Sequence, residues 1–196
     1  EHYNVITILD TFMADDLSKM ATRWRKEKVV DWNFCALHEM GHMFDNQQPW
    51  YFEAEMMTDL KVAYVLQAGG GCAAPSEYGY QNYFYADKQE GHKQVEECYL
   101  GLSKDKKPIG KTLEYGAYSA ALKFVEIQRQ IDDDNWTVFK KTYAELHKEG
   151  QTTYKSYERF THFVEVLSKH SGKDVRALFT DEEWNVFMTK YGYKPE

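Results

Sequence analysis

The sequence predicts a mostly α-helical protein with little β-structure, built as one domain over residues 1–196. Apolar residues recur at helical spacing through most of the chain, whereas strand-like alternation is confined to one short segment. No internal repeat and no long linker divides the 196 residues. A chain of this length buries a core without needing disulfides or a structural metal. One helical domain is therefore the predicted architecture.

The predicted elements follow in chain order from these patterns. Residues 4–9 (NVITIL) are the one candidate strand, and they could equally open a helix that continues to Met20. Later helices are predicted over residues 33–44, 52–67, 87–100, 113–131, 136–148, 154–170 and 180–190. The triple glycine at 69–71 ends the second of these, and a loop is expected from there to Ala86.

Start signals support several of these helices. Thr180 and Glu183 have the spacing of a capping box. Asp134 precedes Trp136, and the run 132–134 (DDD) is expected to cap that helix, because it lacks the glycine and spaced ligands of a calcium loop. The tyrosines of residues 78–85 could stack on sugar rings or line a groove, and packing on the helices is the favoured interpretation.

Composition excludes several classes of partner. The chain has 24 Lys and Arg against 31 Asp and Glu, for a net charge of −7, which argues against nucleic acid or an anionic membrane. No apolar run approaches the roughly 18 residues of a membrane span. The three cysteines do not form a disulfide framework, and a Cys72–Cys98 bridge stays open. Because the chain begins at Glu1 without a signal peptide, we expect a processed product or an excised domain.

Residues 38–42 read His-Glu-Met-Gly-His and carry the clearest chemistry in the sequence. His38 and His42 are four residues apart, so a helix presents both imidazoles on one face as two ligands of a tetrahedral zinc. Glu39 lies beside them, where it can take a proton from water and pass it to a leaving amine. Gly41 costs about 1 kcal/mol in a helix, which indicates a close approach of another backbone or of substrate.

A catalytic zinc needs a third protein ligand, and the downstream sequence offers one. The metzincin pattern fails, because Asp45 and Gln48 occupy its glycine and histidine positions. The gluzincin pattern fits Glu55 as ligand, with Asp59 four residues later to accept the outer N–H of a ligand histidine. Glu53 is the rival ligand, but its partner four residues later is Met57, which cannot accept that N–H.

These residues resemble the enhancin-like, mucin-degrading zinc metallopeptidases of the gluzincin type. The resemblance covers residues 31–33, 38–42, Trp50 and 55–65, and continues more weakly through 120–128, 139–143, 160–164 and 168–179. It implies zinc held by His38, His42 and Glu55, with Glu39 as general base. It also implies a secreted or cell-surface endopeptidase that acts on O-glycosylated, mucin-type proteins.

Two further expectations concern the surroundings of the site. Tyr115 and Tyr118 are candidates for stabilising the oxyanion, although core packing is the favoured interpretation. The remaining histidines, His92, His147, His162 and His170, are expected at the surface or its boundary.

The alternative function belongs to another class of protein. Gluzincins usually place a β-sheet subdomain before the metal helix, yet only 37 residues precede His38. The chain could therefore be a non-catalytic binding module, or part of an incomplete enzyme, with structural zinc. A helical domain with a coincidental motif would bind no zinc at all.

Overall fold

Six α-helices make up most of the structure, a computed structural model that describes residues 18, 21, 25, 31–45, 50–69, 71–74, 83–85, 114–150 and 155–194. The helices are α1 (Phe34–Asp45), α2 (Ala54–Gly69), α3 (Ala117–Ile131), α4 (Thr137–Glu149), α5 (Ser156–Ser171) and α6 (Asp181–Lys190), with a short 3-10 turn at Arg176–Leu178. The predicted mostly helical class is confirmed. The candidate strand at 4–9 and the predicted helix at 87–100 lie outside the described residues.

A small sheet interrupts the region that the sequence predicted as a loop up to Ala86, and that prediction is wrong for two segments. Strands β1 (Asp31–Asn33), β2 (Gly71–Ala74) and β3 (Tyr83–Tyr85) form one sheet in the order β1-β2-β3. β1 pairs in parallel with β2, and β2 pairs antiparallel with β3. Strands of three or four residues are too short to show a periodicity in the sequence. Their pairing also depends on residues that are far apart in the chain, which a local pattern does not reveal.

The ends of the helices follow the local signals, with two differences. The capping box of Thr180 and Glu183 is present in full at the start of α6, and α2 ends at Gly69 as predicted. Helix α3 starts four residues later than predicted, because Gly116 before it is extended.

The predicted capping of helix α4 by the run 132–134 is confirmed for the first two aspartates of the run. Asp132 accepts hydrogen bonds from the backbone of Val138 and Phe139, and Asp133 accepts them from Asn135 and Thr137. Asp134 was predicted as the start signal, but Trp136 takes a left-handed conformation with φ 56°. This turn brings the two earlier carboxylates over the first free N–H groups of α4.

Aromatic side chains form the centre of the core between α3, α5 and α6. The rings of Phe160 and Phe187 stack at 5.2 Å, and Phe124 meets both of them edge-on. Each fully buried ring stabilises the fold by about 1.5–3 kcal/mol relative to an exposed one. Helix α2 adds a buried face to the same core, with Met56, Met57, Leu60, Val62, Ala63 and Leu66. Because these residues anchor α2 in the core, α2 provides a fixed surface on which α1 packs.

No helix among the described residues is long and apolar enough to cross a membrane, in agreement with the sequence.

Candidate metal centre

The first helix and the first turns of the second bring three predicted ligands together. His38 and His42 lie one turn apart on α1, and Glu55 lies in the first turn of α2. The nearest atoms are 2.9 Å apart for His38 Nε2 and Glu55 Oε2, 3.1 Å for the two Nε2 atoms, and 3.7 Å for His42 Nε2 and Glu55 Oε2. Donor atoms of a tetrahedral zinc ion lie about 3.3 Å from one another. The triangle therefore has the size that such an ion requires.

The donor atoms of this triangle are also of the right kind. Asp59 Oδ1 lies 2.9 Å from Nδ1 of His38, and a carboxylate can only accept, so Nδ1 carries the proton. In the neutral ring, Nε2 of His38 then holds a lone pair 2.9 Å from a carboxylate oxygen of Glu55. Two acceptors this close repel each other unless a proton or a metal ion lies with them. A proton on Nε2 of His38 or a metal ion bound by the triangle would remove this repulsion.

Asp59 is the residue that orients the first histidine. Its side chain is fully buried, and burial raises its pKa to about 6 even though the hydrogen bond from His38 opposes the rise. Burial lowers the pKa of His38, but the hydrogen bond and charge of Asp59, with help from Glu55, raise that pKa above its usual value overall. A buried carboxylate behind a ligand histidine is the arrangement that fixes ring orientation in metal sites.

Thr58 orients the second histidine, and sequence reasoning missed it. Its Oγ1 lies 3.0 Å from Nδ1 of His42, so both histidines have their Nδ1 occupied and their Nε2 directed into the triangle. The signal that could have found Thr58 is Gly41. A Cβ at Gly41 would lie 2.7 Å from Cγ2 of Thr58, well inside van der Waals contact. The sequence indicated a close approach of another backbone or of substrate at Gly41. The nearest atoms belong to the side chain of Thr58, and the backbone of α2 follows with the Cα of Thr58 at 3.4 Å.

The rival ligand Glu53 has a different role. Its Oε2 accepts a hydrogen bond of 2.6 Å from the backbone N–H of Met56, which caps the first turn of α2. Burial raises the pKa of Glu53 above its usual value, although hydrogen bonds from the backbone of Met56 and from Tyr115 lower it. Glu53 thus supports the turn that carries Glu55 and does not itself join the triangle.

Among the three residues of the triangle, Glu55 is the most exposed. The side chains of His38 and His42 are 13% and 19% exposed, whereas that of Glu55 is 53% exposed. Glu39 is partly buried on α1, about 100° around the helix from His38 and about 60° from His42. A catalytic zinc site needs an open position for water or substrate, and solvent reaches the triangle from the side of Glu55.

The two tyrosines predicted as oxyanion donors belong to the packed interior. Tyr115 meets Phe187 and Tyr191 edge-on, and its hydroxyl lies 3.1 Å from that of Tyr191. Burial raises its pKa. Tyr118 packs against the same core. The packing interpretation therefore describes both residues, and oxyanion stabilisation by either stays a prediction.

Only some of the other residues singled out in the sequence belong to the part of the chain that the structure describes. His147, His162 and His170 lie at the surface or its boundary as expected, whereas His92 and Cys98 lie outside the described residues. Residues 78–82 do as well.

No family model, curated protein or solved structure matches this chain. Membership of the gluzincin family therefore stays a prediction, and the geometry of His38, His42 and Glu55 is what supports a metal site.

Proposed function

We propose that this protein is a zinc-dependent endopeptidase that acts on O-glycosylated, mucin-type proteins. The main support for the metal site is the convergence of two Nε2 atoms and one carboxylate oxygen. Asp59 and Thr58 contact the Nδ1 atoms on the other side of the two rings. The substrate class comes from the resemblance of residues 38–59 to mucin-degrading gluzincins. Secretion or display at the cell surface follows from the same resemblance.

The residues of the triangle fit zinc. Two imidazoles and one carboxylate are the ligand set of many catalytic zinc sites, and the exposed side leaves room for a fourth ligand. Bound zinc would supply Lewis-acid chemistry, polarising the substrate carbonyl and lowering the pKa of water. His38, His42 and Glu55 would hold it, while Asp59 and Thr58 keep the two rings in place.

Glu39 has the role of general base and acid in this proposal. It lies on the same helix as both histidines, on the flank of the face that they share. From there its carboxylate takes a proton from the attacking water and delivers that proton to the departing amine. The same group serves both steps, so a single residue accounts for the proton transfers of peptide hydrolysis.

The test measures zinc content and cleavage in the same preparations. A purified O-glycosylated mucin-type protein, and the same protein after removal of its glycans, are incubated with the zinc-loaded chain. We expect one bound zinc and cleavage of the glycosylated form only. Glu39→Ala is expected to keep zinc and to lower kcat by at least about 10²-fold. Glu182→Ala, an exposed glutamate on α6, is the matched control and is expected to cleave normally.

The other outcomes separate the alternatives. Cleavage without regard to glycans would keep the endopeptidase and discard the mucin substrate. Bound zinc with no cleavage of either substrate would favour the non-catalytic module with structural zinc. A chain that binds no zinc would make the motif coincidental.

A further inference from the structure

The turn between α3 and α4 contains a motif that the candidate metal centre does not use. Residues 135–137 read Asn-Trp-Thr. An asparagine followed two residues later by serine or threonine is the acceptor motif of N-linked glycosylation when the middle residue is not proline. The chain has six asparagines, and none of the other five has serine or threonine two residues later. The motif therefore identifies a single candidate acceptor, Asn135.

Asn135 lies on the outer side of this turn. It is exposed, as are Asp133 and Asp134 before it, whereas the next residue, Trp136, is only 2% exposed. The indole N–H of Trp136 donates a hydrogen bond to the buried side chain of Gln67 on α2. The tryptophan thus points into the core while the asparagine faces solvent, where a bulky glycan fits without disturbing the packed interior.

The hydrogen bonds of the turn are compatible with a modified asparagine. The carboxylate of Asp133 accepts a hydrogen bond from the backbone N–H of Asn135 at 3.0 Å. It also accepts hydrogen bonds from the backbone N–H and the hydroxyl of Thr137, at 3.1 and 2.7 Å. A glycan on Nδ2 of Asn135 leaves these bonds intact. Because the hydroxyl that the motif requires is occupied once the turn has folded, we expect glycan transfer to precede folding.

The turn also lies away from the candidate metal centre. Trp136 contacts Gln67 near the end of α2, whereas Glu55 lies in the first turn of the same helix. Twelve residues separate Glu55 from Gln67, which corresponds to about 18 Å along the helix axis. A glycan on Asn135 therefore leaves the three proposed zinc ligands accessible.

We propose that Asn135 carries an N-linked oligosaccharide, which is attached as the chain enters the secretory compartment. The donor is an oligosaccharide bound through pyrophosphate to a membrane lipid. Nδ2 of Asn135 forms a bond to C1 of the first sugar, the bond from that carbon to the pyrophosphate breaks, and Nδ2 loses one proton. The proposal rests on the secretion that the proposed function includes, but not on zinc binding or on peptide cleavage.

The test expresses the full chain with and without a cleavable signal peptide in cultured insect cells, which add N-linked glycans to secreted proteins. Intact-mass spectrometry is expected to show one glycan on the chain that carries the signal peptide and none on the chain that stays in the cytosol. Peptide N-glycosidase removes such a glycan and converts its asparagine to aspartate. Peptide mapping is expected to find this conversion at residue 135.

Four variants assign the modification to the motif. Asn135→Gln and Thr137→Ala are expected to lose the glycan completely, whereas Thr137→Ser keeps the hydroxyl and is expected to retain the glycan. Asn185→Gln changes an exposed asparagine of α6 outside the motif and is the matched control that is expected to retain the glycan. Asn135→Gln is expected to bind zinc like the wild type, because its residue lies near the other end of α2.

Three results would overturn the proposal: an unmodified chain in both the medium and the cell lysate, a glycan that persists in Asn135→Gln, or a glycan that is lost in Asn185→Gln. A glycosylated chain that binds no zinc would contradict the proposed function and leave this proposal standing. A secreted chain that binds zinc and cleaves its substrate without a glycan would do the reverse.

Discussion

Helices α3, α5 and α6 meet through phenylalanine rings, whereas α1 meets α2 through two imidazoles, two carboxylates, a threonine and a glycine. In the first region most of the buried groups are apolar and lose nothing by leaving water, and the buried Lys123 and Glu183 are paired with each other. In the second region each buried polar group needs a partner, and the partners are the residues that would hold or orient a metal ion. The stability of the fold and the geometry of the site therefore depend on different groups of helices.

The largest expected change in the free energy of unfolding comes from a substitution in the aromatic region. Phe160→Ala removes a fully buried ring that packs against Phe187, Trp184 and Phe179. We expect urea unfolding to show a loss of about 3–5 kcal/mol. Phe44→Ala, the same change at an exposed position, is expected to stay within about 0.5 kcal/mol of the wild type. A folded Phe160→Ala protein with wild-type stability and lost zinc affinity would reverse the comparison.

The next largest expected change is in zinc affinity and comes from a substitution in the polar region. Glu55→Ala removes one of three proposed ligands, and we expect its zinc affinity to fall by more than the 10–100-fold that loss of an orienting partner costs. Glu53→Ala removes the cap of α2 and is expected to cost about 1 kcal/mol of stability while zinc affinity is kept. Titration of the apo proteins with zinc, alongside urea unfolding, measures both. Unchanged zinc affinity in Glu55→Ala would show that the ligand was chosen wrongly.

Gly41 tests how closely the two helices must approach. Gly→Ala in an open helix stabilises by about 1 kcal/mol, but here the new Cβ would meet Cγ2 of Thr58 at 2.7 Å. We therefore expect Gly41→Ala to destabilise by about 1–3 kcal/mol.

The double variant Gly41→Ala with Thr58→Ser gives the control, since serine lacks Cγ2 and keeps the hydroxyl that contacts His42. It is expected to recover most of the lost stability, and Thr58→Ser alone gives the baseline. An increase in stability for Gly41→Ala alone would disprove the close approach.

The smallest effect concerns the surface of the bundle. His162 lies 2.6 Å from Glu149 and joins α5 to α4. Burial lowers its pKa, but the hydrogen bond and charge of Glu149, with a contribution from Glu165, raise the pKa above its usual value overall. The ion pair therefore stabilises the protein fully below the unfolded-state pKa, and this stability is lost as the pH rises through the folded-state pKa.

Comparison of the wild type with His162→Gln measures this contribution. Because the two side chains are about one third exposed (31% and 32%) and solvent screens their charges, we expect the wild type to be more stable by about 0.2–1 kcal/mol near pH 6. The difference should vanish near pH 9 and shrink in salt. A difference that grew with pH would have the wrong sign for this pair.

Much of the fold could be predicted because it depends on local signals. The capping box of Thr180 and Glu183, the glycines that end α2, and the apolar stripes of the helices all lie within one or two turns of the residues that they govern. The three strands could not be predicted in this way. β1 and β2 are separated by two helices and pair through backbone groups, which leave no mark in the side-chain pattern.

The candidate site likewise has some features that local spacing predicts and others that depend on how the helices pack. The spacing of His38, His42, Glu55 and Asp59 could be read from the sequence because each pair lies on one helix face. The role of Thr58 depends on the side on which α1 crosses α2, and spacing does not encode it. The same holds for the cap made by Glu53. Met57, four residues later, argued against Glu53 as a ligand, but the spacing does not encode that its carboxylate reaches the backbone of Met56.

Glu183 has a consequence for the order of folding. Its side chain completes the capping box with Thr180, a contact between neighbours in the chain. The same carboxylate lies 2.8 Å from Nζ of the buried Lys123 on α3. The local contact costs little loop entropy and can form early, whereas the distant one must wait until α6 docks. The residue at which α6 begins can thus be fixed before α6 docks on α3. Because the contact to Lys123 forms late, its removal should mainly increase the rate of unfolding.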